Sequence, residues 1–159
     1  VTRGGKPYGW SDLLDKLIIP GTGGETIEGR DRQSVGYGLF GWADLVLIAD
    51  LAKHAGFKTN LFTYRTPSGN SLLSVGPFYG PIVGGTRADP YPEPESLGGG
   101  GYAAVLSKYR AVFETIHVNC TAGALCAPFG AALHAVSPAT RGDDYDPHLL
   151  GWNALLGVN

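Results

Sequence analysis

A chain of 159 residues with a formal net charge of -2 and a pI near 6.1 has the length of one domain, spanning 1–159, and no surplus of positive charge. That balance excludes an electrostatic case for nucleic acid or an anionic membrane as partner. Charge interrupts each apolar run before the roughly 18 residues of a bilayer span are reached, as Asp44, Asp50 and Lys53 do around Leu45–Ala52.

Glycine (25) and proline (11) are abundant but spread among apolar segments, which predicts folded structure with many connections rather than disorder. Methionine is absent and residue 1 is valine, so the chain is expected to start after processing or to be a piece of something longer.

Along the chain, Ser11 to Ile18 reads as a short amphipathic helix, with Ser11 as cap, Leu13, Leu14, Leu17 and Ile18 as its stripe, and Pro20-Gly21 as its stop. Gly21 to Gly29 is a loop. A second helix is predicted from about Asp31 to His54, closed by Gly56. Its apolar residues surround most of the circumference, so burial on several sides is expected. Gly36, Gly38 and Gly41 each cost on the order of 1 kcal/mol relative to alanine, which predicts close approach of a helix or ligand there.

Asn60 to Tyr64 reads as irregular or a short strand, Arg65 to Asn70 as a turn, and Ser71 to Phe78 as a short serine-capped helix. Gly80 to Gly101 is a proline- and glycine-rich surface excursion. Tyr102, Val105, Leu106, Tyr109, Val112, Phe113 and Ile116 mark the clearest amphipathic helix, and Ala127 to Ala135 a helix of small residues stopped by Ser137-Pro138. Beyond Arg141 a loop leads to Leu149–Leu156, expected to cover the core. With no alternating strand set, the fold class is mainly α, a helical bundle with long Gly/Pro-rich loops.

Cys120 and Cys126 flank Thr121 to Leu125. A metal site would bring more ligands at tighter spacing and a redox pair would read Cys-x-x-Cys, so a short-loop disulfide is the better reading. Asn119-Cys120-Thr121 also matches the N-glycosylation acceptor pattern. Disulfide and acceptor together point to a secreted protein. His54, His134 and His148 are isolated, no metal spacing surrounds them, and no cofactor is implied.

Glu25 to Gly38 packs charged and amide groups at the mouth of the long apolar helix. If that helix begins near Asp31, Arg30, Gln33 and Tyr37 fall on one side. A cation, an amide and a phenol on one rim suit a ligand bearing carboxylate and hydroxyl groups. The plainer alternative is a helix start capped by Asp31 and Ser34 with solvated arginines.

The order of several segments resembles the C-terminal half of the alginate-lyase-domain family. They are Arg30-Asp31-Arg32-Gln33 before a helix ending Ile48–Phe57, then Tyr64–Leu72, Phe113–Asn119 and Gly151–Leu156. The resemblance covers most of this chain but about half of the family's domain. It implies a partial α/α toroid, an acidic polysaccharide as partner, and a second chain that completes the toroid unless this half has been remodelled. Arg32 interrupts the family's Arg-Asp-Gln-x-His run and no histidine follows Gln33. The family's N-terminal Asn/His-rich catalytic segment has no counterpart here.

The chemistry implied is β-elimination. Neutralising a uronate carboxylate acidifies the C5 proton, a base removes it, and an acid protonates the leaving glycosidic oxygen. By resemblance, Arg30, Arg32 and Gln33 would hold the carboxylate, Tyr37 would be the acid or lie beside the sugar, and His117 would be the base. The plainer reading of His117 is a helix-terminal histidine facing the dipole, and of Asn119 a glycosylated or structural residue. Lyase activity therefore stands against a non-catalytic carbohydrate-binding or defence protein that retains the cleft, and against a purely structural secreted domain.

Overall fold

The periodic apolar segments are helices in the computed structural model, which describes residues 2–3, 6–7, 9–27, 35–91, 101–120 and 123–135 and is mainly α-helical. An antiparallel ladder of β1 (Thr2–Arg3) and β2 (Lys6–Pro7) precedes α1 (Trp10–Leu17). Next come α2 (Val35–His54) and a 3₁₀ turn (Leu72–Val75) that runs into α3 (Gly76–Val83). Helices α4 (Gly101–Asn119) and α5 (Ala127–Ala135) follow. The expected helix start at Asp31 and the expected cover Leu149–Leu156 lie outside the described residues.

Two helix boundaries differ from expectation. Helix α1 is capped at Gly9, whose N–H donates to Asp12 Oδ2 at 2.9 Å, so Ser11 lies inside the first turn. A carboxylate in that position answers both the orphan donor and the positive helix end. Helix α3 continues through Tyr79, Gly80 and Pro81, where the sequence reads as loop. Proline removes one amide donor but its fixed φ is helical, and burial of Tyr79, Ile82 and Val83 offsets that single loss. Asn60 to Tyr64 is irregular, without strand pairing.

The core is organised around Trp42, fully buried midway along α2. Its indole stacks on Phe129 of α5 (centroids 5.7 Å apart, planes at 11°) and meets the edge of Phe113 of α4 at 5.6 Å. Phe113 and Phe129 are themselves edge-on at 5.5 Å. Indole Nε1 donates to the Leu72 carbonyl at 3.1 Å, tying the 3₁₀ turn to the same point. One residue thus joins α2, α4, α5 and the 3₁₀ turn, and buries a large apolar surface without an orphaned N–H.

Asp44, Asp50 and Lys53 were expected to stop any apolar run short of a bilayer span, but helix α2 is long and apolar enough to cross a membrane by length and composition. Val35, Leu39, Trp42, Ala43, Val46 and Ala49 are nevertheless buried within the protein. Burial on several sides was expected, and Tyr37, Phe40, Ile48 and Leu51 nonetheless form an outward stripe, with Ile48 46% and Leu51 53% exposed. Among the described elements, α4 and the 3₁₀ turn are the main neighbours of α2.

The loop after α1 doubles back: Ile18 bridges Thr26, with Ile19 N–H to Glu25 O at 2.8 Å and Ile27 N–H to Leu17 O at 2.6 Å. Gly24 lets it press against the 3₁₀ turn. Its φ is +115°, and a Cβ there would collide with the Ser74 carbonyl. Glu25 and Thr26, in a segment that reads only as loop, are buried.

Replacing Trp42 with Phe should destabilise the fold by about 2–4 kcal/mol, from an orphaned Leu72 carbonyl plus a cavity beside Phe129. Urea denaturation followed by far-ultraviolet dichroism measures this; a loss below about 1 kcal/mol would place the core's centre elsewhere.

Candidate functional site at the start of helix α2

Helix α2 begins with glycines at 36, 38 and 41, poor helix formers, and a close neighbour is found at Gly38. Thr26 Oγ1 donates to the Gly38 carbonyl at 2.5 Å, and Tyr109 Oη of α4 donates to the Gly36 carbonyl at 2.7 Å. Gly38 is required by the packing: a Cβ there would collide with Tyr79 Oη and lie 3.0 Å from Thr26 Oγ1. The first turns of α2 are thus held from below by a loop hydroxyl and a phenol.

Beneath them runs a buried chain of hydroxyls. Tyr79 Oη lies 3.0 Å from Thr26 Oγ1 and 3.3 Å from Tyr91 Oη, and it accepts the Thr26 N–H at 3.3 Å. Tyr91 Oη donates to Glu25 Oε1 at 3.2 Å. Each hydroxyl has one proton. Thr26 gives its own to Gly38 and Tyr91 gives its own to Glu25, so the Tyr79 proton is shared between Thr26 and Tyr91. Burial pushes the Tyr79 phenol above its ordinary value, while its hydrogen bonds to Thr26 and Tyr91 pull the other way. Tyr91 is also pushed up, first by burial and then by the neighbouring Tyr79 and Glu25. Both phenols are therefore neutral donors at physiological pH.

Tyr37 lies in the first turn of α2 and is 45% exposed. Arg30, Arg32 and Gln33 lie outside the described residues, so their geometry relative to Tyr37 is not part of the site as built. His117 is in the last turn of α4, exposed, with its ring against Gly130 of α5. The structure does not bring Tyr37 and His117 together. Helices α2 and α4 run in the same direction: Tyr109 meets Gly36 at the start of α2, and Asn119 meets Lys53 at its end (2.6 Å). His117 follows Tyr109 by eight residues, roughly 12 Å along the axis and away from Tyr37.

A second polar cluster lies at Asp15. Its Oδ1 accepts from Thr66 Oγ1 at 2.7 Å and Asn70 Nδ2 at 2.8 Å, and its Oδ2 accepts from Ser68 Oγ at 3.3 Å. These bonds, led by the one from Thr66, pull the carboxyl below its ordinary value. Thr66 N–H also bonds Asn70 O at 2.9 Å, so the polar residues of this segment close a turn and fasten it to α1. Their structural work accounts for them without chemistry.

The Cys120–Cys126 disulfide is formed, linking the end of α4 to the start of α5. Asn119 is bonded on both sides, to Thr115 O (2.8 Å) and Lys53 Nζ. Among the described residues, no group of three or more His, Cys, Asp or Glu is placed to hold a metal ion. Sequence reasoning missed Glu25, Thr26, Tyr79 and Tyr91 as a unit. The one available signal was the glycine spacing in α2, which announced a close neighbour without naming it. No family model, curated protein or solved structure matches this chain.

The raised phenols make a pH prediction. A tyrosine harder to ionise in the folded state contributes stability that is complete below its ordinary value of 10.0 and is lost as pH climbs through the higher folded value. Unfolding free energy should therefore fall above about pH 10, and the Tyr79→Phe/Tyr91→Phe double variant should flatten that alkaline limb. Denaturation midpoints taken from about pH 8 to about pH 11 decide it; an identical slope in the double variant would contradict the assignment.

Proposed function

We propose that this is a secreted helical protein of polysaccharide-lyase ancestry that holds an acidic glycan at the start of α2 and does not cleave it. The observation that carries the reading is the separation of Tyr37 from His117. A phenol and an imidazole that act on one sugar ring must both reach it within hydrogen-bond distance. Here they sit toward opposite ends of the α2–α4 pair, roughly 12 Å apart along α4. A phenol and an imidazole set apart on one helix pair are what a binding descendant of an eliminating enzyme would look like.

Three features support the binding half of the proposal. The start of α2 is fixed from below by Thr26 and Tyr109, which lowers the ordering cost of a ligand contact there. Tyr37 presents an exposed ring to which a sugar face can stack. The sequence immediately before it supplies Arg30, Arg32 and Gln33, donors suited to a uronate carboxylate. In this reading the helices are a partial α/α toroid, and the exposed Ile48 and Leu51 mark where further helices of a complete toroid would rest. Secretion is part of the proposal and is supported by the disulfide.

The test separates binding from cleavage. Purified protein is mixed with polyguluronate, polymannuronate and glucuronan, while unsaturated uronate is followed by absorbance and affinity by calorimetry. The expected result is binding of at least one polymer without a rise in absorbance. Tyr37→Ala should weaken that binding about tenfold, equivalent to about 1.4 kcal/mol. An absorbance rise would restore the lyase reading; affinity for none of the three would remove the glycan from the account.

A further inference from the structure

The pattern Asn119-Cys120-Thr121 is an N-glycosylation acceptor, and such acceptors are used in surface loops. Asn119 is instead the last residue of α4. Its side chain is partly buried and engaged at both ends. Nδ2 donates to the Thr115 carbonyl at 2.8 Å, and Oδ1 accepts from Lys53 Nζ at 2.6 Å. Chemistry fixes this orientation, because an ammonium only donates and a carbonyl only accepts. Lys53 lies in the last turn of α2, so Asn119 clamps the ends of two helices together. The middle residue of the acceptor is also committed. Cys120 N–H donates to the His117 carbonyl at 3.3 Å, and its sulfur is joined to Cys126.

Glycosylation forms a bond between asparagine Nδ2 and the anomeric carbon of a sugar. Nδ2 gives up one proton, and the sugar's lipid diphosphate carrier departs with the bonding electron pair. The nucleophile in that step is the nitrogen that α4 uses to satisfy its own Thr115 carbonyl. A glycan on Nδ2 would also have to be accommodated beside Lys53 of α2.

We propose that Asn119 is a conditional glycosylation site, open in the reduced chain and closed when the Cys120–Cys126 disulfide forms and Asn119 docks between Thr115 and Lys53. A chain that oxidises and folds before it meets the transferase stays unmodified. A chain modified first keeps one Nδ2 proton for Thr115 but must close the clamp with a glycan beside Lys53. The donor class required is a lipid-diphosphate-linked oligosaccharide. The proposal needs passage through a secretory compartment and is independent of glycan binding at the opposite end of α2.

The experiment is expression of the full chain behind a heterologous signal peptide in eukaryotic secretory cells. Glycan occupancy is read on total cell material as the mass removed by peptide N-glycosidase. Phe57→Asn serves as control, since with Thr59 it creates an acceptor in the loop after α2, at a position 60% exposed in the native residue. The wild type should be mostly unmodified at Asn119, the control variant modified at the introduced position, and Cys126→Ser modified at Asn119. Reading total material means that Cys126→Ser need not fold to be informative. A second arm adds dithiothreitol during synthesis of the wild type and should raise Asn119 occupancy from the minor to the major fraction. A wild type that carries a glycan on Asn119 in its major fraction without dithiothreitol would overturn the proposal. So would Cys126→Ser, or the reduced wild type, staying unmodified while the control is glycosylated.

Discussion

Two carbonyls at the start of α2, those of Gly36 and Gly38, take hydrogen bonds from side chains far away in sequence, and these bonds tie the first turns of α2 to the loop after α1 and to α4. Thr26 and Tyr109 add to the burial of Val35 and Leu39 in fixing the glycine-rich first turns of α2, which glycine alone would leave weakly helical. Each donor is itself held. Tyr109 is 1% exposed in the α4 face that packs on α2, and Thr26 leans on Tyr79, which touches Tyr91, which touches Glu25. The polar chain is buried but bonded throughout, which makes it rigid rather than costly.

The aromatic group around Trp42 and this hydroxyl chain divide the labour. Trp42, Phe113 and Phe129 lock α2, α4 and α5 by apolar contact and shape. The hydroxyl chain sets where α2 begins relative to the loop after α1 and to α3. Stability lives mainly in the first group, and the seating of the first turns of α2 in the second. The far ends of α2 and α4 are tied by a third device, the Asn119 clamp with its adjacent disulfide. These devices act on opposite ends of one helix pair, which is why a phenol at one end and an imidazole at the other serve different neighbourhoods.

Much of the fold could be read from spacing. Tyr109, Val112, Phe113 and Ile116 repeat at three- and four-residue steps and are the buried face of α4. Ala127 to Ala135 and the disulfide also stand where the sequence puts them. The site was harder, for physical reasons. Glu25 and Thr26 look like loop polar residues because burial through a contact with Ser74 leaves no periodic trace. Tyr79 stands two residues before Pro81, between the segments read as helix and as loop, yet α3 runs through it. The distance between Tyr37 and His117 depends on the parallel course of α2 and α4, a tertiary fact that no local pattern encodes.

The central claim is that the start of α2, and not the His117 end, receives an acidic sugar chain. The most direct measurement is a titration of ¹⁵N-labelled protein with a short oligouronate, followed by amide chemical shifts. The account predicts saturable shifts confined to Val35–Phe40, with an echo at Tyr109 and Thr26, and none at His117 to Cys120. Shifts clustered instead around His117 and Asn119, or absent from the first turns of α2, would contradict it.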